Sequence, residues 1–297
     1  MLMGIFVGAA SLFSLPFTLY RAYAQQQFTP TLGDLAVINS TAFVVTAWIA
    51  TLLTKRTWRE LFSSALPRAA FVPGAVIMAL GTSIVCSEIY NITQSLIPMP
   101  AFIEKLFETL FDVKASPIGG AVALVVVAPI AEEIVCRRWI LESLLQKYRP
   151  AIAIVISGLA FGLMHFNPWQ FFYAAALGFG IGFLYWRTRS VFLCMLWHAV
   201  NNSLVLVFAF WDPDIEGFRR TEGNTLEFHP WWLNAAGAGL VLFGGGLLWW
   251  QTRRTLTVAD QIRAPQPSES PPPLPLTLPI PPVLPPESGP PPRQDST

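Results

Sequence analysis

Runs of apolar residues, each about long enough to cross a bilayer core, recur along most of this chain. They fall near 1–19, 35–53, 70–91, 117–136, 151–166, 170–186, 190–210 and 231–250. The fifth and sixth are short and separated only by Asn167, Pro168 and Trp169, which predicts a tight hairpin. Only helices or closed barrels satisfy their backbone in lipid, and these runs are far too long for barrel strands. The pattern therefore predicts an all-α, polytopic transmembrane bundle of about eight spans, or seven if the first is removed. After residue 254 the pattern breaks, and proline runs extend from Pro265 to Pro292. Proline lacks the backbone donor that helices and sheets need, so a disordered, polyproline-like tail is expected. Four regions follow: N-terminal transmembrane helices 1–116, a helical core 117–210, a loop and last span 211–254, and a tail 255–297.

Composition supports the membrane reading, with 53% hydrophobic and only 12% charged residues. The lipid bilayer is the expected surrounding, and a net charge of +1 gives no reason to expect nucleic acid as a partner. Lys55, Arg56, Arg59, Arg68, Lys147, Arg149, Arg187, Arg189, Arg253 and Arg254 fall in alternate connections. The opposite connections dilute their basic residues with Asp212, Asp214, Glu216, Glu222 and Glu227. Basic residues collect in cytoplasmic loops, so both termini are expected in the cytoplasm. Ala22-Tyr23-Ala24 resembles a cleavage site, yet the basic n-region of a signal peptide is missing, so an uncleaved first helix is expected. Cys86, Cys136 and Cys194 all lie in apolar spans without paired spacing, which reads as packing rather than a disulfide or zinc cluster.

Three polar runs interrupt the apolar sequence: Glu132-Glu133-Ile134-Val135-Cys136-Arg137, Phe161-Gly162-Leu163-Met164-His165, and His198-Ala199-Val200-Asn201-Asn202. Ionisable groups at membrane depth are costly and are usually retained for function. Glu133 and Arg137 are spaced for a helical ion pair, the acid N-terminal to the base. Glu132 points about 100° away around the helix and is left free for chemistry. Counted from the turn near Arg149, Glu133 and His165 lie about 16 residues to either side, which predicts a shared depth in an antiparallel hairpin. Phe161, one turn before His165, is positioned to brace the imidazole. His198 and Asn202 share a helix face, and both can donate hydrogen bonds to a developing oxyanion. A polar pair linking helices is the alternative for them.

These residue types suit peptide-bond hydrolysis by an activated water, with a carboxylate as general base assisted by an imidazole. Ser157 and Ser203 have no matching triad. Glu132, His165 and His198 are acceptable zinc ligands, but the His-Glu-x-x-His pattern is absent. No cofactor is expected, with zinc as the alternative.

The three motifs, in this order on successive helices, resemble the CAAX protease and bacteriocin-processing (Abi) family of intramembrane proteases, related to type II CAAX prenyl endopeptidase. The resemblance covers about residues 117–210. It implies that Glu132 with His165 activates water, that His198 with Asn202 forms the oxyanion site, and that Glu133 and Arg137 shape the pocket. It also implies an endopeptidase of a bacterial cytoplasmic membrane acting on a membrane-associated protein or peptide. A proton-coupled transporter lacks support, because paired broken helices are missing. A non-catalytic scaffold or bacteriocin-immunity protein is the alternative; Glu132, with no partner in its own helix, favours the enzyme.

Overall fold

Among the described residues, proline stands in the first turn of four helices, where its missing N–H costs nothing. The computed structural model describes residues 68–110, 114, 116–165, 167–211, 215–218 and 227–263. A short 3₁₀ turn, Ala69–Phe71, leads into α1 (Val72–Leu96), followed by α2 (Ala101–Leu110) and α3 (Pro117–Leu145). Then come α4 (Pro150–Leu163), α5 (Pro168–Thr188), α6 (Val191–Trp211) and α7 (Trp231–Arg263). All regular structure among the described residues is helical.

Among the described residues, four stretches, Ala69–Leu96, Pro117–Leu145, Val191–Trp211 and Trp231–Arg253, are long and apolar enough to cross a membrane. The surface of α7 carries the mark of a lipid-facing helix. Trp231 and Trp232 are exposed near one end, and Trp249 and Trp250 near the other. Eighteen residues separate the pairs, about 27 Å along the axis, close to the thickness of the hydrocarbon core between two aromatic belts.

Close backbone approach joins the helices. Gly158 and Gly162 line one face of α4, and Gly178 answers them from α5. A methyl on Gly162 would sit 2.6 Å from the Phe171 carbonyl oxygen, and one on Gly178 would sit 2.9 Å from the Gly158 Cα. α1 and α7 meet in the same way, with the Cβ position of Gly81 2.6 Å from the Gly237 carbonyl and that of Gly244 2.8 Å from the Gly74 carbonyl. Small residues of this kind are the usual means by which membrane helices gain contact. Around them Trp139, Phe161, Ile181, Leu193 and Trp197 form one continuous buried core.

One end of the bundle is basic. Arg189 closes α5 in a left-handed conformation (φ 53°), and its guanidinium lies 3.3 Å from Glu142. The Tyr185 hydroxyl donates to the same carboxylate at 2.6 Å. Arg187 is drawn inward, donating to the Thr252 hydroxyl at 2.8 Å with its guanidinium 4.1 Å from the Trp249 ring centre.

Several boundaries differ from expectation. The spans near 1–19 and 35–53 lie outside the described residues. α1 runs to Leu96 rather than 91, and the hydroxyls of Ser87 and Thr93 within it bond to carbonyls of their own helix at Ile84 and Ile89. α2 had no expected counterpart; at ten residues it cannot span. Residues 255–263, expected in the disordered tail, continue α7. No breaker occurs there before Pro265. The rest of the expected tail lies outside the described residues.

Candidate active site

Glu132 and Glu133 end an α-helical stretch of α3, Ala128–Glu133, and a π-helical stretch, Ile134–Leu141, begins immediately after them. A second π-helical stretch, Val122–Val127, precedes them. Such wider turns are uncommon and tend to mark functional sites. Ile134, Val135, Cys136 and Arg137 are all buried in succession, so α3 is enclosed by neighbours on every side at this level.

Arg137 Nε lies 3.0 Å from Glu133 Oε2, and both side chains are wholly excluded from solvent. The other carboxylate oxygen, Glu133 Oε1, accepts a 2.9 Å hydrogen bond from His198 Nδ1. A buried charge pair persists only when its remaining hydrogen-bonding capacity is also met, and His198 supplies that partner from α6. Arg137 Nη2 donates to the Gly178 carbonyl at 3.4 Å, while its buried Nη1 has no hydrogen-bond partner among the described residues. With Nδ1–H committed to Glu133, the neutral imidazole of His198 presents a bare Nε2. That nitrogen faces Glu132 Oε2 at 4.0 Å. The Glu132 side chain is 24% exposed, whereas Glu133 is 0% exposed. Two consecutive carboxylates thus sit in opposite environments with one imidazole between them.

Phe161 binds the motifs into one site. Its ring makes edge contacts with His165 at 5.3 Å and His198 at 5.6 Å, while the Arg137 guanidinium sits 5.0 Å from its centre. His165 follows the end of α4, and its Nδ1 lies 3.0 Å from the Phe161 carbonyl oxygen. A carbonyl only accepts, so Nδ1 carries the proton and Nε2 is bare in the neutral ring. The Tyr173 ring of α5 stands 6.4 Å from His165.

Asn202 takes a different partner from His198. Its Nδ2 donates to the Leu124 carbonyl of α3 at 2.8 Å, within the first π-helical stretch. Its Oδ1 accepts from Asn201 Nδ2 at 3.2 Å, and Asn201 Oδ1 accepts from the Ser83 hydroxyl at 2.9 Å. A polar chain therefore ties α1, α6 and α3 together. One N–H of Asn202 remains beyond the Leu124 bond.

The expected ion pair of Glu133 and Arg137 is present, and Phe161 braces His165 as anticipated. The expected pairings of the imidazoles differ. His198 faces the carboxylates rather than Asn202, and it stands between them where His165 was expected beside Glu132. α4 stops at Leu163, so His165 lies in the turn beyond the helix and meets Phe161 and Tyr173. Asn201, Ser83 and Tyr173 were not foreseen as neighbours of the site. Asn201 stood in the third motif, but nothing marked Ser83 or Tyr173 among apolar residues.

Residues 114–204 match the family model described as type II CAAX prenyl endopeptidase Rce1-like. The curated protein named "Putative membrane peptidase YdiL", from Bacillus subtilis (strain 168), is 33% identical over 82 residues. That match covers 28% of this chain and 34% of the relative, so the likeness spans about a third of YdiL. No solved structure matches the chain. The matched segment contains Glu132, Glu133, Arg137, His165, His198 and Asn202. It comprises α3 to α5 and most of α6, while α1 supplies Ser83 from outside it.

Proposed function

We propose that this chain is an intramembrane endopeptidase that hydrolyses a peptide bond of a membrane-associated protein or peptide with a water activated by Glu132 and His198. The observation that carries the reading is the His198 ring held between Glu133 at 2.9 Å and the partly exposed Glu132 at 4.0 Å. A bare nitrogen and a carboxylate oxygen at that separation are too far apart for a direct hydrogen bond. Both are acceptors, and one water molecule donates to each.

In the proposed step, Glu132 takes a proton from that water as its oxygen attacks the scissile carbonyl carbon. Glu133, itself held by Arg137, keeps the Nδ1 proton of His198 in place, so that Nε2 accepts the second hydrogen of the attacking water. The free N–H of Asn202 is suited to the oxyanion of the tetrahedral intermediate. The captured proton then passes to the leaving nitrogen as the carbon–nitrogen bond breaks. His165, across Phe161, is the second imidazole for that transfer. This division of labour moves His198 into water activation, where the family resemblance implied His165. It requires no metal ion.

A packing role accounts for Asn202 on Leu124 and for the ion pair, but it does not call for a partly exposed Glu132 beside His198 Nε2. The basic end of the bundle is proposed to face the cytoplasm of a bacterial cell, so a reporter fused after Arg254 should behave as cytoplasmic. The deciding experiment compares membrane proteomes of strains carrying the wild type and Glu132→Gln. A protein cleaved in the first and intact in the second supports the protease. Identical sets of termini would leave the scaffold reading in its place.

A further inference from the structure

Among the described residues, Arg187 is a buried cation with no carboxylate beside it. It stands in the last turn of α5, and its surface is only 7% exposed. Nε donates to the Thr252 hydroxyl at 2.8 Å and Nη2 to the Trp249 carbonyl at 3.4 Å, both on α7. Both partners are neutral, and the Thr252 hydroxyl passes its own proton to the Leu248 carbonyl at 2.6 Å. The guanidinium lies 4.1 Å from the Trp249 ring centre and 5.0 Å from that of Trp186. Ring faces attract a cation without neutralising it. The neighbouring arginines differ, since Arg137 sits on Glu133 and Arg189 on Glu142. Nη1 of Arg187 has no hydrogen-bond partner among the described residues, and unlike Arg137 Nη1 it is not sealed from the surface.

A clamp joining α5 to α7 uses Nε and Nη2 and leaves the charge and Nη1 over. An unpaired buried charge is costly, so the arrangement calls for an anion from outside the bundle. Its depth says which. Trp249 and Trp250 are exposed beside it, at the level where indole rings meet lipid headgroups. Thr252 lies about 3 Å farther out along the axis, and the exposed Arg253 follows Trp249 by one turn on the same face. A phosphodiester at this level is matched by the donor fork of a guanidinium. The remainder of the headgroup is also restricted. Glu142, the acidic side chain described at this end, already accepts from Arg189 and Tyr185, and the indole faces already hold Arg187. A headgroup ammonium finds no partner there, whereas an uncharged headgroup needs none.

We infer that Arg187, between Trp186 and Trp249, binds the phosphate of an anionic phospholipid in the leaflet at the basic end of the bundle. The lipid phosphate completes the ion pair that α5 lacks and braces α5 against α7 from outside. The site shares no residue with the candidate active site and does not depend on the protease reading.

The test uses the full chain, purified in dodecyl maltoside, stripped of lipid and titrated with dioleoylphosphatidylglycerol or dioleoylphosphatidylcholine. Native mass spectrometry counts the bound lipid. One phosphatidylglycerol per chain should bind about fivefold more tightly than phosphatidylcholine. Arg187→Gln should weaken it about tenfold, the effect of one lost charge-assisted hydrogen bond. Thr252→Asp gives Arg187 a carboxylate of the chain's own and should weaken lipid binding as much, in protein that elutes as the wild type does. This second variant carries the test if Arg187→Gln does not fold, because it keeps the clamp and removes only the need for an outside anion. Lys147→Gln with Arg149→Gln, at exposed basic positions of the same end, should bind as the wild type does. Equal binding of the two lipids overturns the site. So does phosphatidylglycerol binding that survives Arg187→Gln or Thr252→Asp, or that falls with Lys147 and Arg149 as a general basic surface would. Displacement of the lipid by inorganic phosphate overturns its assignment to a lipid.

Discussion

Glu133 and His198, on α3 and α6, are joined by a 2.9 Å hydrogen bond inside the bundle, and the same carboxylate holds Arg137 at 3.0 Å. Glu133→Gln keeps the shape of the side chain but leaves the Arg137 charge uncompensated. Breaking a buried ion pair from one side typically costs about 3–5 kcal/mol. A marked fall in the unfolding temperature of the detergent-solubilised protein is expected, together with loss of cleavage. Wild-type stability in this variant would show that the pair does not hold the two helices.

Glu132→Gln should behave in the opposite way. The side chain is partly exposed, and its nearest ionisable partner, His198 Nε2, is 4.0 Å away. The unfolding temperature should stay near that of the wild type while cleavage falls by about 10²–10⁴-fold, the usual contribution of a general base. Wild-type cleavage by this variant would remove Glu132 from the chemistry.

Metal dependence separates two uses of the same residues. Zinc would draw on Glu132 and the bare Nε2 atoms of His165 and His198, while the proposed route uses them on water. Elemental analysis of active protein should find no stoichiometric transition metal, and activity should survive a chelator. Activity lost on chelation and restored by zinc would reassign the three as ligands.

Asn202→Ala removes both the Leu124 bond and the remaining N–H. Loss of one oxyanion donor usually costs about 3 kcal/mol in barrier, while one hydrogen bond contributes about 1 kcal/mol to stability. Turnover should therefore fall far more than stability does. A variant that is less stable yet cleaves normally would make Asn202 a packing residue.

Gly158→Val tests the α4–α5 contact that positions Phe161. Even the Cβ alone would fall 2.5 Å from Phe179 Cε1 and 3.1 Å from the Ala175 carbonyl oxygen. Poor folding is expected, measured as loss of a monodisperse species on size exclusion. An intact elution profile would show that the two helices have room to part.

Pairs within one helix were legible in the sequence, because helical periodicity fixes which side chains meet. Glu133 with Arg137 and Phe161 with His165 are of this kind. Contacts between helices were not. α6 is apolar around most of its circumference, so its pattern does not say which side faces α3. His198 was consequently assigned to Asn202, its neighbour in sequence, rather than to Glu133. Nor do π-helical turns have a sequence signature, and the two in α3 alter the angular positions of residues counted at 3.6 per turn. Ser83 could not be linked to Asn201 because a hydroxyl on an apolar helix most often bonds to its own backbone, as Ser83 also does at the Ala79 carbonyl.

The tryptophan pairs on α7 have a consequence for the lipid the protein prefers. Their spacing of about 27 Å suits a slightly thin bilayer, and a thicker one must be met by tilt or by stretched contacts at the interface. α7 cannot change its tilt alone, since Gly237 and Gly244 seat it directly on the α1 backbone. α1 in turn carries Ser83, which holds Asn201. Acyl chain length thereby reaches the protein's interior: if the proposed cleavage holds, reconstitution in progressively longer lipids should lower turnover before it lowers stability.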